Sequence, residues 1–90
     1  MYEVTNVVIN HVIAIIIFFV IYSILFTMNK KNFEAAHGYL DMLYFTTTTQ
    51  SSTGYGDIVP TTTLAKITVM MHQIVVIFII SQFIYTVFKQ

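Results

Sequence analysis

Charged and apolar positions are segregated along this chain. After Glu3 no charge occurs until Lys30, and after Lys66 none until Lys89, while Lys30, Lys31, Glu34, Asp41, Asp57 and Lys66 crowd the middle. The first charge-free stretch contains the largely apolar run Val12 to Phe26. Extended back to Val7 it covers 20 residues, about 30 Å as a helix and enough to cross the hydrocarbon of a bilayer. The second, Ile67 to Phe88, has 22 residues, roughly 33 Å on the same geometry. Both are rich in β-branched residues, which suit strands, but strands rarely exceed about 10 residues. A lone span in lipid must also satisfy its own backbone, which a helix does. The pattern therefore predicts an outer helix over 7–28 and an inner helix over 64–88. A cleaved secretory signal would account for the first stretch only if it had a basic start and a small-residue cleavage site. It has neither, since Thr27-Met28-Asn29 follows it, so the helix is expected to be retained.

Composition sharpens the class. Hydrophobic residues make up 57% and charged residues 9% of the 90, against roughly 25% charged in ordinary soluble domains, and mean hydropathy is +0.78. The expectation is an all-α, multi-pass integral membrane protein with lipid as its surroundings. There is no arginine and the four lysines balance four acids, which excludes a nucleic-acid footprint. With no cysteine, disulfides and thiolate metal sites are excluded. No nucleophile, base and orienting group can be assembled, so an enzyme is not expected. His11, His37 and His72 are too dispersed for a metal site, and no cofactor is implied. His37 reads as solvated and His11 as interfacial, while His72, inside the inner span, reads as packed beside a polar neighbour such as Gln73.

The segment between the spans is too long for a tight hairpin. Residues 29–39 begin as the polar Asn29-Lys-Lys-Asn-Phe-Glu-Ala-Ala-His-Gly38 and read as an exposed turret. Residues 40–51 then combine an apolar start with Thr46-Thr-Thr-Thr-Gln50, and Asp41 would sit at the positive end of a helix dipole. A helix of that size covers only about half a bilayer. Non-helical backbone following it at membrane depth must be shielded by protein or line water, which describes a re-entrant loop. Residues 52–57 are Ser-Thr-Gly-Tyr-Gly-Asp. Glycines at alternate positions allow left-handed dihedrals without a Cβ penalty, as a row of carbonyls turned toward one axis requires.

These residues resemble the filter loop of potassium channels, whose carbonyls replace the ion's hydration shell. The whole chain is similar to the two-span potassium channels, most of all to the miniature channels of algal viruses. The likeness is densest from Asp41 to His72 and is carried by Asp41, Tyr44-Phe45, Thr48-Thr49, Ser51, Gly54, Gly56-Asp57-Ile58, Pro60, Thr62-Thr63, Ala65-Lys66 and His72. It implies a homotetramer, since two spans cannot enclose a pore but four loops around an axis can. It implies K+ ions held at Ser52, Thr53, Gly54 and Tyr55, with Gly56 completing the filter and Asp57 and Val59 at the outer mouth. Tyr44, Phe45 and Thr48 would support the filter, and Thr49 and Gln50 would close the pore helix over a central cavity. The sequence departs from the family pattern at Ser52, usually threonine, at Thr53, usually valine or isoleucine, and at Thr48, where many cellular relatives carry glutamate.

The inner helix has no glycine or proline, so a hinge is missing. Ser81 is a candidate bend, by bonding back to the Ile77 carbonyl. Phe83, Tyr85 and Phe88 are candidates for an inner constriction or, equally, for an aromatic lipid belt. The lysine distribution alone would place the connecting segment in the cytoplasm, whereas the resemblance places it outside with both termini inside, in a host plasma or internal membrane or in the virion membrane. Met1 and the close at Lys89-Gln90 fit a small complete protein. Two rival readings remain: a non-selective cation channel, because of Ser52 and Thr53, and a holin-like two-span hairpin, which would not need Gly54-Tyr55-Gly56-Asp57.

Overall fold

The computed structural model of the chain describes residues 2–89, with side chains described for residues 4–89. Helix α1 runs Tyr2–Met28, α2 runs Tyr39–Gln50 and α3 runs Thr63–Lys89. Between them lie a 3-10 turn at Lys30–Asn32 and the two-residue strands β1 (Phe33–Glu34) and β2 (Val59–Pro60). Both α1 and α3 are long and apolar enough to cross a membrane, and they stand where the charge-free stretches placed them. Helix α1 begins five residues before the predicted 7, because Tyr2 to Asn6 can stay helical outside the apolar run. Helix α2 is displaced by one residue from 40–51. Gly38 is its extended N-cap, and the Asp41 carboxylate accepts the His37 N–H at 2.8 Å, closing the entry turn. Thr62 caps α3 by accepting from the Ala65 N–H at 3.1 Å.

One core knits the chain together on the side of the turret. Tyr22, Leu25 and Phe26 of α1 bury against Phe33, Met42, Phe45 and Ile58, with Ala65 and Val69 of α3. Tyr22 is fully buried and meets Phe45 and Phe33 edge to face, at centroid distances of 5.2 and 5.7 Å, the packing that aromatic quadrupoles favour. Toward the other end a smaller cluster joins Val7 and Ala14 to Ile79, and the Asn10 amide donates to the Gln82 amide oxygen at 2.9 Å. Elsewhere the span helices turn bulky apolar side chains outward. Ile16 is 57% exposed and Phe78 72%, an outward face suited to lipid or to further copies rather than to water.

The expected exposed turret is only partly so. Asn32 and Phe33 are buried, and β1 pairs antiparallel with β2, Phe33 opposite Pro60 and Glu34 opposite Val59. Asn32 organises this corner. Its side-chain amide donates to the Leu25 carbonyl at 2.6 Å, its amide oxygen accepts from the Thr62 hydroxyl, and its carbonyl accepts the Thr61 N–H at 2.9 Å. The turret is thereby tied to the end of α1 and the start of α3. Asn32→Ala removes one buried and one partly buried side-chain bond and strands the Thr62 hydroxyl, a loss of about 2 kcal/mol. Its thermal midpoint in detergent should fall by several degrees; an unchanged midpoint would show that this corner does not hold the fold.

Candidate functional site: the loop after α2

The end of α2 builds the loop. Ser51 closes the helix and Ser52 follows with φ of +63°. The Ser52 N–H bonds the Thr49 carbonyl at 3.1 Å and the Thr53 N–H bonds the Thr48 carbonyl at 2.9 Å, the paired closure of a Schellman motif. The left-handed residue of that motif is usually glycine. Serine stands there instead, unbranched and so less hindered than threonine would be. The Gly54 N–H also reaches the Thr48 carbonyl, at 3.3 Å. The beginning of the loop is therefore suspended from the last turn of α2.

Backbone handedness then alternates. Ser52, Gly54 and Gly56 have φ of +63°, +56° and +80°, and Ala35 is the other described non-glycine residue with positive φ. Thr53 and Tyr55 thus lie between left-handed neighbours. The Thr53 hydroxyl pairs with that of Ser51 at 2.8 Å, so the polar side chain that replaces the usual valine or isoleucine is satisfied locally. Tyr55 stacks parallel to Tyr44, with centroids 6.3 Å apart and planes 6° apart. The Tyr44 hydroxyl donates to Asp57 Oδ2 at 2.7 Å, and Asp57 Oδ1 accepts the Ile58 N–H at 3.1 Å. The bond to Asp57, foremost, holds the Tyr44 hydroxyl above the usual tyrosine pKa, with some desolvation and the Asp57 and Tyr55 charges adding to it.

The residues expected to support the loop separate. Tyr44 reaches it, whereas Phe45, one residue and about 100° further round the helix, is turned into the core against Tyr22 and Phe33. The Thr48 hydroxyl bonds back to the Phe45 carbonyl at 3.0 Å, so Thr48 meets the loop through its carbonyl and not its side chain. Val59 is occupied in the short ladder with Glu34. On the inner side of the loop, Thr49, Ser52 and Gly54 join Gln73, Val76 and Ile77 of α3 around a recess of about 330 Å³. Gln50 does not line that recess. It is buried, with its Oε1 2.8 Å from His72 Nε2 and its Nε2 2.8 Å from His11 Nδ1.

His72 corrects a second expectation. Gln73 is not its partner, because the next residue on a helix lies about 100° away and Gln73 faces the recess. His72 is fully buried, stacked on Phe18 at 4.0 Å, and bonded to Tyr22 and Gln50. The signal for this network was in the sequence, as polar residues within apolar spans that need partners; which partners they take was not. Further along α3 the helix is continuous through Ser81, and among the described residues no bond joins the Ser81 hydroxyl to the Ile77 carbonyl. Phe83, Tyr85 and Phe88 are all exposed, and Lys89 Nζ lies 5.9 Å from the Tyr85 ring centroid.

Comparison with known proteins bears on this site. Residues 11–90 match a family model described as an ion channel. Over 75 residues the chain is 35% identical to the potassium channel protein kcv of Paramecium bursaria Chlorella virus 1, covering 78% of this chain and 80% of that one. No solved structure matches.

Proposed function

The chain belongs to the ion-channel family, and from that premise we propose that it is a potassium-selective channel whose pore is formed by four identical copies. It is a membrane protein of two span helices. The observation that carries the selectivity reading is the alternation of left-handed residues at 52, 54 and 56 immediately after a half-length helix. That backbone lets carbonyls of Ser52, Thr53, Gly54 and Tyr55 face a common axis and replace the water around K+. One copy supplies a recess and one filter strand; a closed conduit needs rotational symmetry, and four strands give each ion a cage of eight carbonyls between successive layers. Asp57 from each copy then rings the outer mouth and concentrates cations. The C-terminal end of α2, aimed at the recess beside Thr49, adds a negative dipole end there. In this reading the filter mouth faces outside and both chain termini face the cytoplasm.

Assembly is tested by light scattering of the purified protein in mild detergent, where a mass of four copies is expected and a stable dimer would refute it. The outer mouth makes a second test. Val59 lies just beyond Asp57, and its aliphatic side chain offers no aromatic quadrupole to a quaternary ammonium ion. External tetraethylammonium should therefore block poorly. Val59→Tyr should strengthen block by roughly tenfold or more, through cation–π contact, without altering ion selectivity. Tight block of the unmodified channel, or no gain in the variant, would show that Val59 does not line the mouth. A non-selective cation channel is the rival reading, since Ser52 and Thr53 depart from the usual filter residues.

A further inference from the structure

Gln50 is the last residue of α2 and the place where three helices meet on one amide. His11 comes from α1 and His72 from α3, each 2.8 Å from a different atom of the Gln50 amide. The Tyr22 hydroxyl, on α1 again, lies 2.8 Å from the other ring nitrogen of His72. An amide nitrogen only donates and its oxygen only accepts, which fixes the polarity of the whole chain. Gln50 Nε2 donates to His11 Nδ1, His72 Nε2 donates to Gln50 Oε1, and the Tyr22 hydroxyl donates to His72 Nδ1. Every polar atom used is satisfied, as a buried network must be to avoid costing more than it contributes.

The position of this network gives it a consequence. Ser52 hangs from the Thr49 carbonyl, and Thr53 and Gly54 hang from the Thr48 carbonyl, so a shift in the last turn of α2 carries the loop with it. Among the described residues, the His72–Gln50 bond is the side-chain hydrogen bond that joins α2 to α3. The bonds at the other end of α2, Thr27 to Tyr39 and Asp41 to His37, lie about two and a half to three turns away.

We propose that Gln50 is a positioning residue for ion selection: held between His11 and His72, it fixes the inner end of the filter to both span helices. The inference rests on reading residues 52–56 as the filter. It also means that a displacement of α1 or α3 at this depth is felt at Ser52 through the amide as well as through packing.

The test uses the full-length channel, purified as the assembled oligomer and recorded in planar bilayers. Gln50→Leu keeps the volume and removes both bonds. Its potassium-to-sodium permeability ratio should fall by about tenfold or more, the scale of buried bonds lost in every copy at once. His11→Leu removes one bond and should lower the ratio several-fold, whereas His11→Gln, whose amide oxygen can still accept from Gln50, should stay within about twofold of the unmodified channel. Because both changes break the same contact, the double variant His11→Leu with Gln50→Leu should be no worse than Gln50→Leu alone. The inference is overturned if His11→Leu and Gln50→Leu retain the original ratio, or if His11→Gln is damaged as badly as His11→Leu. Should Gln50→Leu fail to assemble, the comparison of His11→Gln with His11→Leu decides. An unmodified channel without selectivity would instead refute the filter reading itself.

Discussion

Channels carrying Gly54→Ala or Gly56→Ala should reach the membrane, assemble, and pass no potassium current. The two glycines have φ of +56° and +80°, and a Cβ added at either would meet nothing within 4 Å. Within one copy the damage is therefore conformational and not a clash. A left-handed dihedral costs an L-residue roughly 1–2 kcal/mol, and in the proposed tetramer it would be incurred in every copy, about 4–8 kcal/mol over four strands. A loop that must present several carbonyls in register has no such reserve, and the strained residue relaxes to a right-handed backbone that turns its carbonyl away. Expression and insertion should be spared, because the loop is exposed in the protomer and lies outside both span helices. Gly38 is the internal control. Its φ of −176° is extended backbone that any residue adopts, and a Cβ there also meets nothing within 4 Å. Gly38→Ala should conduct almost as the unmodified channel does. Normal current in Gly54→Ala or Gly56→Ala would mean that these glycines do not shape the ion path.

Tyr44→Phe should reduce current by roughly tenfold, through the loss of a hydrogen bond to a carboxylate repeated around the mouth. The ring and its stacking on Tyr55 remain, so the variant isolates the 2.7 Å bond to Asp57. Without it, Asp57 keeps only the contact to its neighbour's N–H, and the outer end of the loop loses its hydrogen-bonded tie to α2. The same bond predicts a pH signature. The pKa of Tyr44 is raised, so the bond is fully present below the ordinary tyrosine range and is lost only as external pH climbs through the raised value. Current should be flat around neutrality and fall under strongly alkaline external solution, and Tyr44→Phe should lack that alkaline fall. Full current in Tyr44→Phe, with the same alkaline behaviour, would remove the Tyr44–Asp57 bond from the account.

The parts of the molecule that could be read in the chain are those written in local pattern. Two charge-free stretches gave two long helices, and the dipole preference of Asp41 with Gly38 before it located α2 to within one residue. Alternating glycines announced the left-handed turns at 54 and 56, though not the one at Ser52, where the closure of α2 and not the residue type imposes the conformation. What stayed hidden depends on residues far apart in sequence. Asn32 and Thr62 are 30 positions apart, and Gln50 and His11 are 39 apart. Each looks like an ordinary polar residue until the fold juxtaposes them. His72 shows a smaller limit: Gln73 is its neighbour in sequence, but the turn of the helix gives it Gln50 as its neighbour in space.

Selectivity is the centre of the account, and one recording addresses it most directly. Purified protein in a planar bilayer, with potassium on one side and sodium on the other, should show a reversal potential displaced far toward the potassium equilibrium potential. A reversal potential near zero, with current flowing equally well in both directions, would contradict it and leave the chain a non-selective pore.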